Sequence, residues 1–329
     1  MTVTADFHGV LSRKEVAVLS TRPVVVAAYD ADFMHALSAF VGLARANRGL
    51  VVLLQLGFET ETAEPAAQLA AAVLRFRDQS PEARVIVLCN SEGEISSLGA
   101  HGVEVRLVHQ NCFLDERRFR PMGGLNRPYD AAYIARLTPF KRHSLIPAEI
   151  APRLLLMGTF LDEQEDQVYA KEMYARYKEA AWVQNFHGVR VSELLSKANC
   201  GLALSAAEGA CFASAEYFLC GLPVVDTPAL GGRAVLYPEE YVRRVEPSPD
   251  AVGTGIAYWR THRPDPWKVR SAWLDKAATH RAAYRELMRE LTGRDPGRPP
   301  HKLGIRTPHG GAFWTFAFRS YLFVKGMTA

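Results

Sequence analysis

Short runs of aliphatic residues alternate along the first third of the chain with alanine-rich segments, in which apolar residues recur every three to four positions. The first pattern predicts buried strands and the second predicts helices. This alternation is typical of an α/β domain with a parallel sheet. The predicted strands are Pro23–Ala28, Leu50–Leu56, Arg84–Cys89 and Val103–Val108, and the predicted helices are Phe33–Ala46 and Ala66–Asp78.

A second series of the same kind follows a stretch without periodicity. That stretch, Asp115–Tyr129, contains a Gly-Gly pair, prolines and clustered arginines, which predicts a flexible linker. We therefore expect an amino-terminal domain at 1–115, a linker at 116–129 and a second domain at 130–292, with a ligand cleft between the domains. The second domain's predicted strands are Ala131–Ala135, Arg153–Met157, Trp182–Phe186, Cys200–Ser205 and Pro223–Asp226, and its predicted helices are Asp162–Lys178, Val191–Ala198 and Val269–Thr292.

The end of the chain differs from both series. Residues 293–309 are rich in proline and basic residues, and Gly311–Val324 is strongly aromatic. Because so apolar a tail must cover a surface, we expect residues 293–329 to pack back on the chain's own fold.

Composition narrows the class of protein. No run of about 18 apolar residues is present, so no transmembrane segment is predicted, and the first residues carry charges where a signal peptide needs an apolar core. The net charge of +4 comes from dispersed Lys and Arg, which favours a solvated surface over nucleic-acid binding. The five cysteines lack C-x-x-C spacing, which predicts free thiols in the cytoplasm and no zinc site.

The candidate chemistry lies in Cys200–Arg233, where the pattern predicts strand, loop, short helix, glycine cap and strand. Glu208 and Gly209 fall in the loop, at the edge where open parallel sheets bind ligands. A helix that begins near Ala213 and Ser214 directs free backbone N–H groups to the same place, which favours phosphate. Glu216, one turn further, is placed to accept hydrogen bonds from vicinal hydroxyl groups. The alternative is that Glu208 is a solvated loop carboxylate and that Glu216 only complements the helix dipole.

In Glu208–Asp226, a glutamate, seven intervening residues and a second glutamate precede an apolar run and Gly-Leu-Pro-Val-Val. This pattern resembles the nucleotide-sugar site of retaining glycosyltransferases of the GT-B fold, family-4-like (glycosyl transferases group 1). In that family the first glutamate lies beside the donor sugar and the second binds the ribose hydroxyls. The resemblance implies those roles for Glu208 and Glu216.

A second segment, Ala135–His143, resembles the family's R-L-x-x-x-K sequence, whose cations clamp the donor diphosphate. The resemblance therefore implies that Arg136 and Lys141 form the clamp. Two cations offset the roughly two negative charges of a diphosphate without a metal ion. The alternative is a pair of surface cations after a strand.

Weaker matches extend the resemblance. Leu155–Thr159 resembles a family strand that ends in glycine, and Phe186–Leu195 resembles a turn whose backbone reads the nucleobase, which implies donor-binding roles for Gly158 and Gly188. The sequence departs from the family at Cys211, where a further glycine is usual. It also departs after Gly231-Gly232, where the family often has a glutamate shortly downstream and this chain has Arg233 and an apolar run. The family's fold implies two Rossmann-like domains facing across a cleft, here with a shortened amino-terminal domain.

Candidate acceptor-side residues lie in the first domain. Asp30, Asp32 and His35 follow the first predicted strand, where a carboxylate could orient an acceptor hydroxyl or act as a base. His109 lies on the approach to the linker. The alternatives are a helix cap, a surface histidine and a hydrogen bond to the linker.

The resemblance implies an enzyme, a hexosyltransferase that moves a sugar from a nucleoside diphosphate sugar to a hydroxyl acceptor with retention and with no cofactor or metal. The acceptor could be a metabolite, a lipid, a polysaccharide or modified DNA. The alternatives are a nucleotide-sugar 2-epimerase of the same fold and a non-catalytic nucleotide-sugar-binding subunit. A dinucleotide oxidoreductase is disfavoured, because no G-x-G-x-x-G follows a predicted strand.

Overall fold

A computed structural model describes residues 16–158, 164–184 and 189–296, with the backbone of 304–305 and 315–316. The chain forms two compact units. Of the described residues, unit 1 contains 16–115 and 277–296, and unit 2 contains 116–276. Residues 277–292, which the sequence assigned to the second domain, thus lie in unit 1, because the long helix Pro266–Thr292 contributes residues to both units.

Unit 1 is built on a five-stranded sheet in the order β1-β2-β3-β4-β5. The edge strand β1 is antiparallel to β2, and the other strands are parallel. All of β3 is buried, as expected for a central parallel strand of aliphatic residues. The strands are β1 (Ala17–Thr21), β2 (Val24–Tyr29), β3 (Val51–Gln55), β4 (Arg84–Cys89) and β5 (Glu104–Leu107), and the helices between them are Asp30–His35, Leu37–Ala46, Ala63–Gln79 and Glu92–Gly99.

Unit 2 is built on a six-stranded parallel sheet in the order β11-β10-β9-β6-β7-β8. The chain adds β7 and β8 on one side of β6 and then returns to its other side with β9, so the boundary between β6 and β9 is the topological switch point. The strands are β6 (Tyr129–Ile134), β7 (Leu154–Met157), β8 (Ala181–Val183), β9 (Ala198–Ala203), β10 (Val224–Asp226) and β11 (Val242–Arg244), and the helices are Gln164–Arg176, Val189–Leu195, Phe212–Leu219, Pro249–Thr261 and Pro266–Thr292.

Among the described α-helices and the strands of the two large sheets, the sequence pattern did not predict the edge strands β1 and β11 or the helices Glu92–Gly99 and Pro249–Thr261. Both helices begin at a serine whose side chain accepts a backbone N–H hydrogen bond, which stabilises a helix independently of apolar periodicity. The predicted helix Phe33–Ala46 is two helices, because the backbone of Ala36 leaves the helical region.

The predicted linker has no helix or strand between Glu116 and Pro128, but it is tied to unit 2. Ser192 Oγ donates to the carbonyl oxygen of Arg118 at 2.9 Å, and Arg120 N donates to Ser192 Oγ at 3.2 Å. The guanidinium of Arg270 donates to the carbonyl oxygen of Glu116 at 2.5 Å. These hydrogen bonds hold the backbone of the predicted linker at Glu116, Arg118 and Arg120, and its flexibility stays a prediction.

All five cysteines are free thiols, as predicted, and four of them are buried. None of the helices in the described part of the chain combines the length and the apolar character needed to cross a membrane. Apart from 293–296 and two short backbone pairs, the predicted docking of the tail falls outside the described residues.

A buried carboxyl group makes the stability of unit 1 depend on pH. Glu94 is fully buried, and burial raises its pKa from 4.5 to about 7. Between these values the unfolded chain ionises while the folded protein keeps the proton, so stability falls as the pH rises through this window. We expect Glu94→Gln to flatten this dependence and to add about 3 kcal/mol near pH 8.

Urea unfolding of wild type and Glu94→Gln near pH 4 and pH 8 checks this expectation. The glutamine oxygen can still accept from Asn90 N, which donates to Glu94 Oε2 at 2.6 Å. Equal stabilities of the two proteins at both pH values would mean that Glu94 ionises normally in the fold.

Candidate functional site

The candidate residues of unit 2 meet at the carboxyl ends of β6 and β9, beside the switch point. Lys141 Nζ forms an ion pair with Glu208 Oε1, and each side chain is 13% exposed. Ser205 Oγ donates to the same oxygen at 2.7 Å. The fold therefore brings together two residues that lie 67 positions apart in the sequence.

Lys141 ends a single 3-10 turn, Pro139–Lys141, that follows β6. Tyr133 Oη donates to the carbonyl oxygen of Lys141 at 2.5 Å, which anchors this turn to the strand. The Arg136 guanidinium and Lys141 Nζ lie 5.7 and 5.0 Å from the centre of the Phe140 ring, close enough for cation–π attraction. Arg136 is exposed, so its charge is open to an incoming anion.

His143 lies two residues after this turn and is a neutral residue. Burial, with Lys141 nearby, lowers the pKa of its imidazole to about 3, so it carries no charge at neutral pH. Tyr177 Oη donates to the carbonyl oxygens of His143 and Ile146, each at 2.7 Å. His143 therefore supports the segment that carries Lys141 without adding a positive charge of its own.

The loop that carries Glu208 is fixed to a neighbouring loop through its backbone. Glu208 N donates to the carbonyl oxygen of Leu230 at 2.9 Å, and Leu230 N donates to that of Ala206 at 3.0 Å. Gly209 is buried and leads into the helix Phe212–Leu219. The first turn of that helix contains Ala213 and Ser214, and backbone N–H groups of a first turn have no partner within the helix. This places an electropositive helix end close to Glu208.

Cys211 stands at the start of this helix with φ of 50°, in the left-handed region that favours glycine. That conformation costs a residue other than glycine about 1–2 kcal/mol. The backbone therefore supplies a physical reason for the glycine that the resembling family usually has at this position. In this chain a cysteine adopts the same kind of conformation.

We expect Cys211→Gly to fold normally and to be more stable by up to about 1 kcal/mol, because it removes the unfavourable backbone conformation. Cys211→Val should be less stable than wild type by more than about 1 kcal/mol, since a β-branched side chain suits that conformation worst. Thermal unfolding of the two variants beside wild type measures both effects. A valine variant as stable as the glycine variant would contradict the assigned backbone conformation.

Glu216 is fully buried in the helix Phe212–Leu219. Neither of its carboxyl oxygens has a hydrogen-bond partner among the described residues, and burial raises its pKa well above the usual range. An unsatisfied buried polar group costs about 1–3 kcal/mol. A buried carboxyl group kept without a partner one turn from the phosphate-favouring helix end suits a ligand that brings hydroxyl groups.

Gly158 follows β7, and its lack of a side chain is required by packing. A Cβ atom added there would lie 1.8 Å from the carbonyl oxygen of Ala135, the residue before Arg136. The glycine therefore lets the ends of β6 and β7 approach each other. Gly188 lies outside the described residues, so its expected contact with the nucleobase stays a prediction.

Three acceptor-side candidates share the short helix Asp30–His35 in unit 1. Asp30 Oδ1 accepts from Ala31 N at 2.7 Å and from Gly57 N at 3.0 Å, so this carboxylate links the start of its helix to the loop after β3. Burial raises its pKa to about 6. Asp32 is half-buried and His35 is exposed.

The fourth candidate, His109, is fully buried beyond β5. Its backbone N–H donates to His280 Nδ1 at 3.1 Å, and its own Nδ1 accepts from Asn111 N at 3.2 Å. These two contacts join His109 to Asn111 and to the helix Pro266–Thr292, and neither of them is with the predicted linker at 116–129. A role towards an acceptor stays a prediction for all four residues.

The sequence pattern missed two residues that organise the site, Arg142 and Arg233. Both guanidinium groups donate to the carbonyl oxygen of Ser205, three residues before Glu208. Arg142 had no signal in the sequence, while Arg233 was marked only as a departure from the family. Among the described residues, no three His, Cys, Asp or Glu side chains gather as metal ligands would.

No protein-family model matches the chain, and no curated protein matches its sequence. Solved structures do match it. The structure of HepE from Anabaena in complex with UDP has a TM-score of 0.61 at 16% identity, over 82% of this chain and 79% of that one. Sucrose-phosphate synthase from Thermosynechococcus elongatus has a TM-score of 0.56 at 17% identity, over 80% of each chain. TarM has 0.58 at 12% identity, over 82% of this chain and 55% of its own.

At these identities the likeness shows the fold. The chain has the GT-B fold, with two Rossmann-like domains, as the sequence predicted.

Proposed function

We propose that this protein is a retaining glycosyltransferase that moves a sugar from a nucleoside diphosphate sugar to a hydroxyl acceptor. The observation that carries the proposal is the meeting of Lys141 and Glu208 at the switch point of unit 2. Open α/β sheets bind ligands at such points. The fold of structures such as HepE, which is solved with UDP, supports a uridine nucleotide as the first donor to test.

The donor's diphosphate is assigned to Arg136, Lys141 and the start of the helix Phe212–Leu219. Four cations, Arg136, Lys141, Arg142 and Arg233, stand around two carboxylates, Glu208 and Asp226, which leaves two net positive charges. A diphosphate brings about two negative charges, so it would neutralise the site. The proposal therefore needs no metal ion.

The two glutamates take different parts of the donor in this proposal. Glu216 hydrogen-bonds the two ribose hydroxyls, which would give both of its buried oxygens a partner. Glu208 lies beside the sugar, and Ser205 and Lys141 fix the orientation of its carboxylate. Gly209, Ala213 and Ser214 supply the backbone next to the phosphates.

Retention follows from attack on the face that the diphosphate leaves. The bond between the anomeric carbon and the phosphate oxygen breaks, and the acceptor oxygen bonds to the same face of that carbon. The acceptor's proton passes to the departing phosphate oxygen, so no side chain serves as nucleophile. Lys141 and Arg136 stabilise the charge that develops on the diphosphate.

A thermal-shift screen of UDP, GDP and ADP tests this assignment of the donor. We expect one nucleotide at 100 times its Kd to stabilise the protein by about 2.7 kcal/mol, with and without EDTA, because side-chain cations neutralise the phosphates. A stabilisation that disappears in EDTA and returns with a divalent ion would contradict the metal-independent site.

A further inference from the structure

Arg142 links the end of β6 to the ends of β9 and β10. Its guanidinium donates to the carbonyl oxygens of Leu204 at 2.5 Å and Ser205 at 3.0 Å. It also donates to Thr227 Oγ1 at 3.0 Å and to the carbonyl oxygen of Pro228 at 3.1 Å. Arg142 directly follows Lys141, so these contacts connect the turn of Lys141 to the two loops beyond the neighbouring strands.

Arg233 reaches the same place from the other side. It is 2% exposed, pairs with Asp226 Oδ1 at 2.8 Å and donates to the carbonyl oxygen of Thr227. Its Nη1 donates to the carbonyl oxygen of Ser205 at 3.1 Å. The Ser205 carbonyl oxygen therefore accepts from two guanidinium groups, while Ser205 Oγ donates to Glu208.

We infer that Arg142 and Arg233 are positioning residues for the transfer reaction. Acting through Ser205, they fix the position of the Glu208 carboxylate relative to Lys141 Nζ. The sugar and the diphosphate then bind at a fixed separation. This inference rests on the proposed function of the site. Arg233 follows Gly231-Gly232, after which the resembling family often has a glutamate shortly downstream.

The geometry requires guanidinium groups rather than positive charge alone. A guanidinium presents its donors as a planar fork in fixed directions, whereas a lysine ammonium is a compact charge on a flexible stem. Arg142 makes these hydrogen bonds although its backbone φ of 52° lies in the left-handed region. That conformation is unfavourable for arginine and is readily adopted by glycine.

This conformation makes Arg142→Gly a well-behaved test variant, because glycine relaxes the backbone while the guanidinium is lost. We expect kcat for donor turnover to fall about 100-fold, since a misplacement of about 1 Å costs that much. Nucleoside diphosphate Kd should rise by a smaller factor, because Arg142 adds to the positive charge of the site but donates to Ser205 and Thr227 rather than to the diphosphate. Free guanidinium ion at a non-denaturing concentration should restore part of the kcat.

Arg142→Lys keeps the positive charge but loses the planar set of donors. It therefore separates the effect of positioning Glu208 from the effect of charge. We expect it to lower kcat about 10-fold with nucleoside diphosphate Kd unchanged. The control is Arg153→Lys, an arginine that pairs with Asp130 at the amino-terminal ends of β6 and β7, away from the site, and it should keep wild-type kinetics.

Full kcat in Arg142→Lys would overturn the inference, as would equal losses of kcat and nucleotide affinity in Arg142→Gly without rescue. Either result would leave donor binding by wild type intact, so the proposed function would stand. Wild type that neither binds nor turns over a sugar nucleotide would refute the proposed function instead.

Discussion

Lys141→Ala is expected to lower kcat/KM for the sugar nucleotide between about 30-fold and about 5,000-fold. Loss of one partner from a largely buried charge pair costs about 2–5 kcal/mol, and each 1.36 kcal/mol is a factor of ten in rate. Lys141 pairs with the Glu208 carboxylate in the free protein. In the proposed function it also pairs with the diphosphate during turnover. Steady-state kinetics with the best donor measure the loss.

Arg136→Ala should act in the same direction but less strongly, because Arg136 is exposed. The matched control is Lys276→Ala on the exposed face of the helix Pro266–Thr292, which should stay within about 0.5 kcal/mol of wild type, or about twofold in rate. Wild-type kinetics in both Lys141→Ala and Arg136→Ala would show that the diphosphate binds elsewhere.

The second large effect is expected at Glu216. Glu216→Met should stabilise the free protein by about 1–3 kcal/mol, because an apolar group replaces a buried carboxyl with no partner. The same change should raise KM for the donor and Kd for the nucleoside diphosphate, since the ribose hydroxyls lose their acceptor. A variant that is more stable but binds nucleotide poorly identifies a residue kept for function.

Glu208→Gln should fail in a different way. The glutamine no longer neutralises Lys141, so UDP affinity should stay at or above that of wild type, while kcat falls because the sugar is misplaced. Glu216→Gln should lose nucleotide affinity with less effect on kcat. If Glu208→Gln abolishes nucleotide binding and Glu216→Gln leaves it intact, the two roles are reversed.

Strands with continuous aliphatic residues could be predicted from the sequence, because a strand that is buried on both faces appears as an uninterrupted apolar run. β3 and β4 are examples, and β4 has the predicted bounds Arg84–Cys89. β11 (Val242–Arg244) could not be predicted, because a short edge strand with two arginines carries no such pattern. Its place is decided by its neighbour β10, a tertiary contact.

The residues of the candidate site also differ in whether the sequence could predict them. Lys141 and Glu208 were predicted from motifs, and their meeting follows from the neighbouring positions of β6 and β9. Arg142 and Ser205 could not be predicted, because their importance depends on hydrogen bonds to backbone carbonyls across loops. The strained backbone at Cys211 was visible only as a departure from a motif until the structure supplied its φ angle.

The most direct test of the account is release of nucleoside diphosphate from a panel of UDP-, GDP- and ADP-sugars, measured in EDTA with wild type and Lys141→Ala. We predict that wild type releases the nucleotide from at least one donor, and that Lys141→Ala slows this release at least about 30-fold. Nucleotide binding without release from any donor, even with hydroxyl acceptors added, would contradict a transferase and favour a nucleotide-sugar-binding subunit. Equal release by both proteins would contradict the site at Lys141 and Glu208.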